Sequence, residues 1–109
     1  MAAFEDFMQH DIRVGTVVEA EPFLKARIPA IKMIIDFGPL GLKRSSAQIT
    51  ERYTPDMMIG KQVVAVVNFP PRRIAGFLSE VLVLGGVPRE GDVVLLSPDH
   101  PLPNGTPVA

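Results

Sequence analysis

Six short runs rich in β-branched and aliphatic residues, five of them closed by glycine or proline, constrain this chain most. They read IRVGTVVEAE from Ile12, IKMIIDFG from Ile31, LKRSSAQI from Leu42, QVVAVVNF from Gln62, FLSEVLVLGG from Phe77 and DVVLLS from Asp92. Period-two alternation and β-branching predict strands. The breaks fall at Gly38-Pro39, Gly60, Pro70-Pro71, Gly85-Gly86, Gly91 and Pro98. Strands so closely spaced leave no room for a helix between each pair, so an all-β barrel or sandwich is expected, not alternating β and α units.

One longer interval, ITERYTPDMMIGK, separates the third and fourth runs. Thr50 is placed to cap a helical turn, with Met57, Met58 and Ile59 as a short buried plug before Gly60. A five-stranded barrel with a helix between strands 3 and 4 is the OB-fold arrangement. A single domain over residues 1–109 is expected, with a core of about 11–97 and extensions at 1–10 and 98–109. In the C-terminal extension, Pro98, Pro101, Pro103 and Pro107 argue for an extended tail outside the main ladder. In the N-terminal one, Phe4, Phe7 and Met8 share one side of a short amphipathic turn that needs a surface to cover. It can close its own barrel or meet a second subunit.

The chain is 47% hydrophobic and 21% charged, values of a folded globular protein. It has no cysteine, which excludes disulfides and thiolate metal sites and suits a reducing cytoplasm. No apolar run approaches the roughly 18 residues of a membrane span, and Glu5 and Asp6 stand where a signal peptide carries positive charge. A soluble, cytoplasmic protein is expected. His10 and His100 stand apart from each other and from any metal-ligand spacing, Ser45, Ser46 and Ser79 have no adjacent base, and the glycines form no nucleotide-binding motif. No catalysis, metal or cofactor is expected.

What remains is binding. Although net charge is −1, Ile12–Leu78 holds ten Lys/Arg against five Asp/Glu, so a basic middle lies between acidic ends. Local field, not total charge, attracts a polyanion. Its densest point is NFPPRRIAGFLSE, Asn68–Glu80. Pro70-Pro71 should stop the fourth strand and stiffen the chain, so that Arg72 and Arg73 lose less conformational entropy on binding than they would on a flexible loop. Gly76 permits the return, and Phe77 is either a core residue or an apolar platform beside the guanidinium groups. Arginine with an aromatic suits phosphates and unstacked bases, and an acidic or aromatic peptide nearly as well. Lys32, Lys43, Arg44, Ser45 and Ser46 add to the same side if the second and third strands face it.

Asp11–Gly15 (DIRVG), Ser45–Ile49 (SSAQI), Gly60-Lys61, Val66–Gly76 (VVNFPPRRIAG) and Ser79–Leu82 (SEVL) resemble the tRNA-binding domain found in free bacterial proteins and appended to some aminoacyl-tRNA synthetases. The likeness covers nearly the whole chain and is closest to the small export-related chaperones of that family. It implies an OB-fold, a homodimer held partly by both extensions (Phe4, Phe7, Met8, Pro101, Leu102, Pro103), a chaperone role toward unfolded or precursor proteins in export, and binding of tRNA or other structured RNA. A tRNA-binding module assisting synthetases is the alternative. Asn68, Arg72 and Arg73 match the family's basic segment, and Ser79 matches the serine of its Ser-Gln-Gly-Met stretch. Glu80, Val81 and Leu82 depart from that stretch. A carboxylate at Glu80 should repel phosphate, and is free to pair with a basic target residue or to brace Arg72 or Arg73.

Overall fold

The computed structural model describes residues 1–109. Helix α1 spans Phe4–Met8, followed by β1 (Ile12–Pro22), β2 (Ile31–Asp36), β3 (Leu42–Ala47), α2 (Pro55–Met58) and β4 (Gln62–Val66). After β4 come β5 (Arg72–Ile74), β6 (Phe77–Ser79), β7 (Leu82–Val83), β8 (Gly85–Arg89) and β9 (Asp92–Leu95). The main sheet has five strands in the order β3-β2-β1-β4-β7, with every pair antiparallel. It curls into a nearly closed barrel, the OB-fold that the strand pattern predicts.

Period-two burial sets the inside and outside of this barrel. On β2, Ile31, Met33 and Ile35 point inward while Lys32, Ile34 and Asp36 alternate outward. With Val17, Phe37, Ile49, Val63, Ala65 and Val81 they form the core. Strand β1 is long enough to serve both halves of the sheet: Ile12–Thr16 pairs with β4 and Thr16–Pro22 with β2. A bulge between Val17 and Glu19 gives it the local bend that a barrel requires and turns Val18 outward.

The helix between β3 and β4 is present, and its details correct the sequence reading. Thr54, not Thr50, precedes α2, and it makes no side-chain cap bond. Only Met58 plugs the barrel end, fully buried, whereas Met57 and Ile59 are exposed. A four-residue helix has one inward position per turn, so three consecutive apolar residues cannot all be buried by it.

The C-terminal tail forms no strand of the main ladder, as its prolines predict, but residues 104–108 are tied to β1 through one isolated bridge and several hydrogen bonds. Val14 N–H donates to Thr106 O at 3.0 Å, Gly105 N–H to Val14 O at 2.7 Å and Val108 N–H to Ile12 O at 2.8 Å. Thr16 Oγ1 donates to Asn104 Oδ1 at 2.6 Å, and Arg13 Nη1 to Gly105 O at 2.9 Å. The tail thus takes up the edge of β1 where β2 has already ended. Its prolines remain exposed at 101, 103 and 107, outside these bonds.

Candidate ligand-binding face

NFPPRRIAGFLSE is not a loop. Arg72–Ile74 and Phe77–Ser79 form a β-hairpin in the register Arg72↔Ser79, Arg73↔Leu78 and Ile74↔Phe77. Its two-residue connection, Ala75-Gly76, has φ of 47° and 82°. Positive φ at both positions is the type I′ turn, whose twist matches a right-handed hairpin, and alanine tolerates it less readily than glycine. Arg72 and Arg73 are exposed and form no ion pair.

Behind the hairpin, Phe77 is half-buried, between the two alternatives the sequence left open. Its ring meets buried Phe23 edge-on, with centroids 5.4 Å apart. Lys32 Nζ lies 5.3 Å from the Phe23 centroid and 5.5 Å from that of Phe77, and Arg44 Cζ is 5.8 Å from Phe77. Both cations are neutralised: Lys32 Nζ reaches Glu21 at 2.9 Å and Arg44 Nε reaches Glu80 at 3.6 Å. Phe77 is a cation-covered wall, not a bare platform.

Glu80 has a different role from the one expected. It touches neither Arg72 nor Arg73, but Arg44, whose N–H donates to its Oε1 at 3.0 Å; Glu80 N–H in turn donates to Arg44 O at 2.8 Å. Nearby, Ser46 N–H donates to Ser79 Oγ at 3.3 Å, and Ser45 Oγ donates to Val81 O at 2.8 Å. These bonds close the barrel between β3 and the segment carrying β6 and β7. Ser45 is fully buried and its hydroxyl is committed to that seam, so it offers nothing to a ligand. Lys43 shares Ser45's side of β3 by alternation and lies on the opposite side from Arg44 and Ser46. Asn68 is likewise occupied: its Nδ2 donates to Gln9 O at 2.8 Å and its Oδ1 accepts from Asp11 N–H at 2.9 Å. It ties the N-terminal segment to the end of β4.

The structure adds residues that the sequence reading left among general charge. The Phe23–Ala30 connection between β1 and β2 faces the β5–β6 hairpin across an open groove of about 650 Å³. Ala47, Ile49, Leu82, Val83, Val93 and Leu95 give it an apolar lining, while Lys25, Arg27 and Arg72 supply cations. Lys25 and Arg27 are exposed and have no carboxylate partner. The signal was LKARI, two cations spaced by alanine between two strands, at a place where barrel connections meet ligands. The β8–β9 hairpin forms the groove's far wall, held by Arg52, whose guanidinium donates to both Asp92 oxygens at 2.9–3.1 Å, and by Leu95 N–H donating to Tyr53 Oη at 3.0 Å.

The expected interface residues Phe4, Phe7 and Met8 are 72%, 40% and 60% exposed, and Leu102 is also exposed. They lie toward the opposite end of β1 from the groove, since α1 and the tail adjoin the start of β1 while the Phe23–Ala30 connection follows its end. His10 Nδ1 sits 3.0 Å from Asp6 O, and no group of three His, Asp or Glu is placed to hold a metal ion.

A barrel of this topology with an open groove between its connections belongs to the OB-fold class of binding domain, and a family described as a putative tRNA binding domain matches residues 12–107. The chain belongs to that family, and within it to the CsaA type. The chaperone CsaA from Bacillus anthracis str. Ames is 66% identical, with a TM-score of 0.97 over 100% of this chain and 99% of that one. The CsaA chaperone protein from Picrophilus torridus is 48% identical, with a TM-score of 0.93 and full coverage of both chains. The methionine–tRNA ligase of Methanococcoides burtonii is 34% identical over 106 residues, and the chain spans 15% of that enzyme's length.

Proposed function

We propose that this protein is a non-catalytic binding protein that captures exposed segments of unfolded or precursor polypeptides before export, in the cytoplasm, and also binds tRNA or similar RNA. The observation that carries the reading is the groove: an apolar lining flanked by Lys25, Arg27 and Arg72, none neutralised by the protein. An extended client segment with aliphatic and acidic side chains satisfies both parts at once, by burial and by charge. No nucleotide-binding loop is present to drive release, which fits weak, reversible capture.

Glu80 does not count against RNA at Arg72 and Arg73. Its carboxylate is engaged by Arg44 and is not a free negative charge opposing phosphate, so the departure from the family's Ser-Gln-Gly-Met stretch does not disfavour a polyanion. A direct test titrates the full-length protein with a labelled acidic-aliphatic peptide and with bulk tRNA over a range of salt, and adds it to an aggregating unfolded client. Suppressed aggregation with peptide competition is expected; tRNA binding without either effect transfers the function to the RNA alternative.

A homodimer through the α1 face is part of the same reading, supported by the exposure of Phe4 and Met8. Two linked weak grooves raise avidity for one long client. Phe4→Asp with Phe7→Asp is expected to shift the particle to monomer mass in light scattering while leaving the fold unchanged by circular dichroism. A double variant that keeps the parental mass removes this face from consideration.

A further inference from the structure

We propose that the Phe23–Ala30 connection and the β5–β6 hairpin together form a docking patch for an anionic lipid surface, a partner beyond polypeptide and RNA. Leu24 is 90% exposed and Ile28 57% exposed. Such exposure leaves nearly all of Leu24 and more than half of Ile28 in water. They flank Lys25 and Arg27 in LKARI, and Arg72 of the hairpin lines the same groove as Ile28, so three exposed cations without counterions lie beside two exposed aliphatics. Leu24 and Lys25 share a shallow cavity with Ala75 and Gly76, which places the two tips side by side. Among the residues lining this cavity and the larger groove, Glu21 is the sole acid, and Lys32 neutralises it.

The combination fits lipid better than the other polyanion. Phosphates of RNA need the cations, but they gain nothing from an aliphatic tip, and a base stacks on aromatic or guanidinium faces. A client peptide is served by the concave groove, whereas Leu24 stands almost clear of it. An anionic bilayer surface takes both: headgroups attract the cations, and short aliphatic side chains enter the boundary with the acyl region. Docking on lipid would also occupy Lys25, Arg27 and Arg72 at the groove, so lipid and client compete for the same charges.

The protein has no tryptophan, so Leu24→Trp in the full-length chain gives one emission signal at the tip. Mixed with phosphatidylcholine vesicles containing phosphatidylglycerol, it should co-sediment and shift its emission to shorter wavelength. Pure phosphatidylcholine vesicles should leave it unchanged. Arg27→Ala with Arg72→Ala should weaken vesicle binding about twenty-fivefold, from roughly fivefold per cation near an anionic surface. Leu24→Ser with Ile28→Ser, which leaves the charge unchanged, should weaken co-sedimentation by roughly tenfold or more yet retain tRNA binding, which shows an intact fold and separates this proposal from the RNA reading. Unshifted emission on anionic vesicles, or undiminished sedimentation of the serine variant, overturns the proposal.

Discussion

Replacing Arg72 and Arg73 together with alanine is expected to lower affinity for tRNA by roughly ten- to a hundredfold at moderate salt, and to reduce the slope of log affinity against log salt by about two. The reason is structural. Five other basic side chains (Arg13, Lys32, Arg44, Arg52 and Arg89) lie against carboxylates of the protein itself, so part of their field is already spent internally. The hairpin pair has no such partner and meets an incoming phosphate at full charge. Because both residues are exposed, the double variant should unfold within about 0.5 kcal/mol of the parent, and the loss is then one of recognition. Acidic client peptides should follow tRNA, while apolar ones retained by Ala47, Ile49 and Val83 should be nearly unaffected. Unaltered tRNA affinity and salt slope in filter binding would dispose of the hairpin as the RNA contact.

The second large effect concerns the barrel end. Met58→Ala removes the one side chain of α2 that enters the core, at 0% exposure, and is expected to cost about 2–5 kcal/mol. For a domain of this size each kcal/mol lowers Tm by roughly 4–8 °C, so thermal unfolding followed by circular dichroism should fall by about 10 °C or more. Met57→Ala, one residue away on the exposed side, serves as the control and should shift Tm little. Equal shifts for the two would mean that α2 does not seal the barrel through Met58.

The first four strands were legible because their alternation survives in composition: Ile31, Met33 and Ile35 are apolar at spacing two, and the partners on β1 and β4 are β-branched. The end of the barrel was harder. FLSEVLVLGG reads as one continuous strand, yet it is divided among β6, β7 and β8 because the chain changes partner near Glu80, from the β5 hairpin to β4. No periodicity encodes a change of partner. The β5–β6 hairpin was obscured by Pro70-Pro71 and by strands of three residues, too short for alternation to register. Tail docking rests on Asn104, Gly105 and Thr106 meeting β1 by polar bonds across some ninety positions of sequence, a kind of contact with no hydrophobic signature.

Within the candidate site, Arg72 and Arg73 stand exposed as anticipated, and Phe77 lies beside them. Ser45 was separable in principle: in Lys43-Arg44-Ser45-Ser46, period two assigns Ser45 to the face opposite Arg44, which is the core face opposite Met33. Asn68 and Glu80 could not be resolved from sequence, since their partners Gln9, Asp11 and Arg44 are near only after folding. Lys25 and Arg27 became visible as site residues only when the β1–β2 connection was seen to face the hairpin.

The junction between Arg44 and Glu80 bears on how the cylinder breathes. Along β1–β2, β1–β4 and β2–β3 its staves are knit by ladders of five or six main-chain pairs, but along this line a glutamate and two serines stand in for part of the ladder. Ser45 is shut in the core and pins the inner side of this join, while Arg44, Ser79 and Glu80 hold its outer side. Losing any of those three outer side chains would therefore loosen the cylinder here and leave the neighbouring ladders whole.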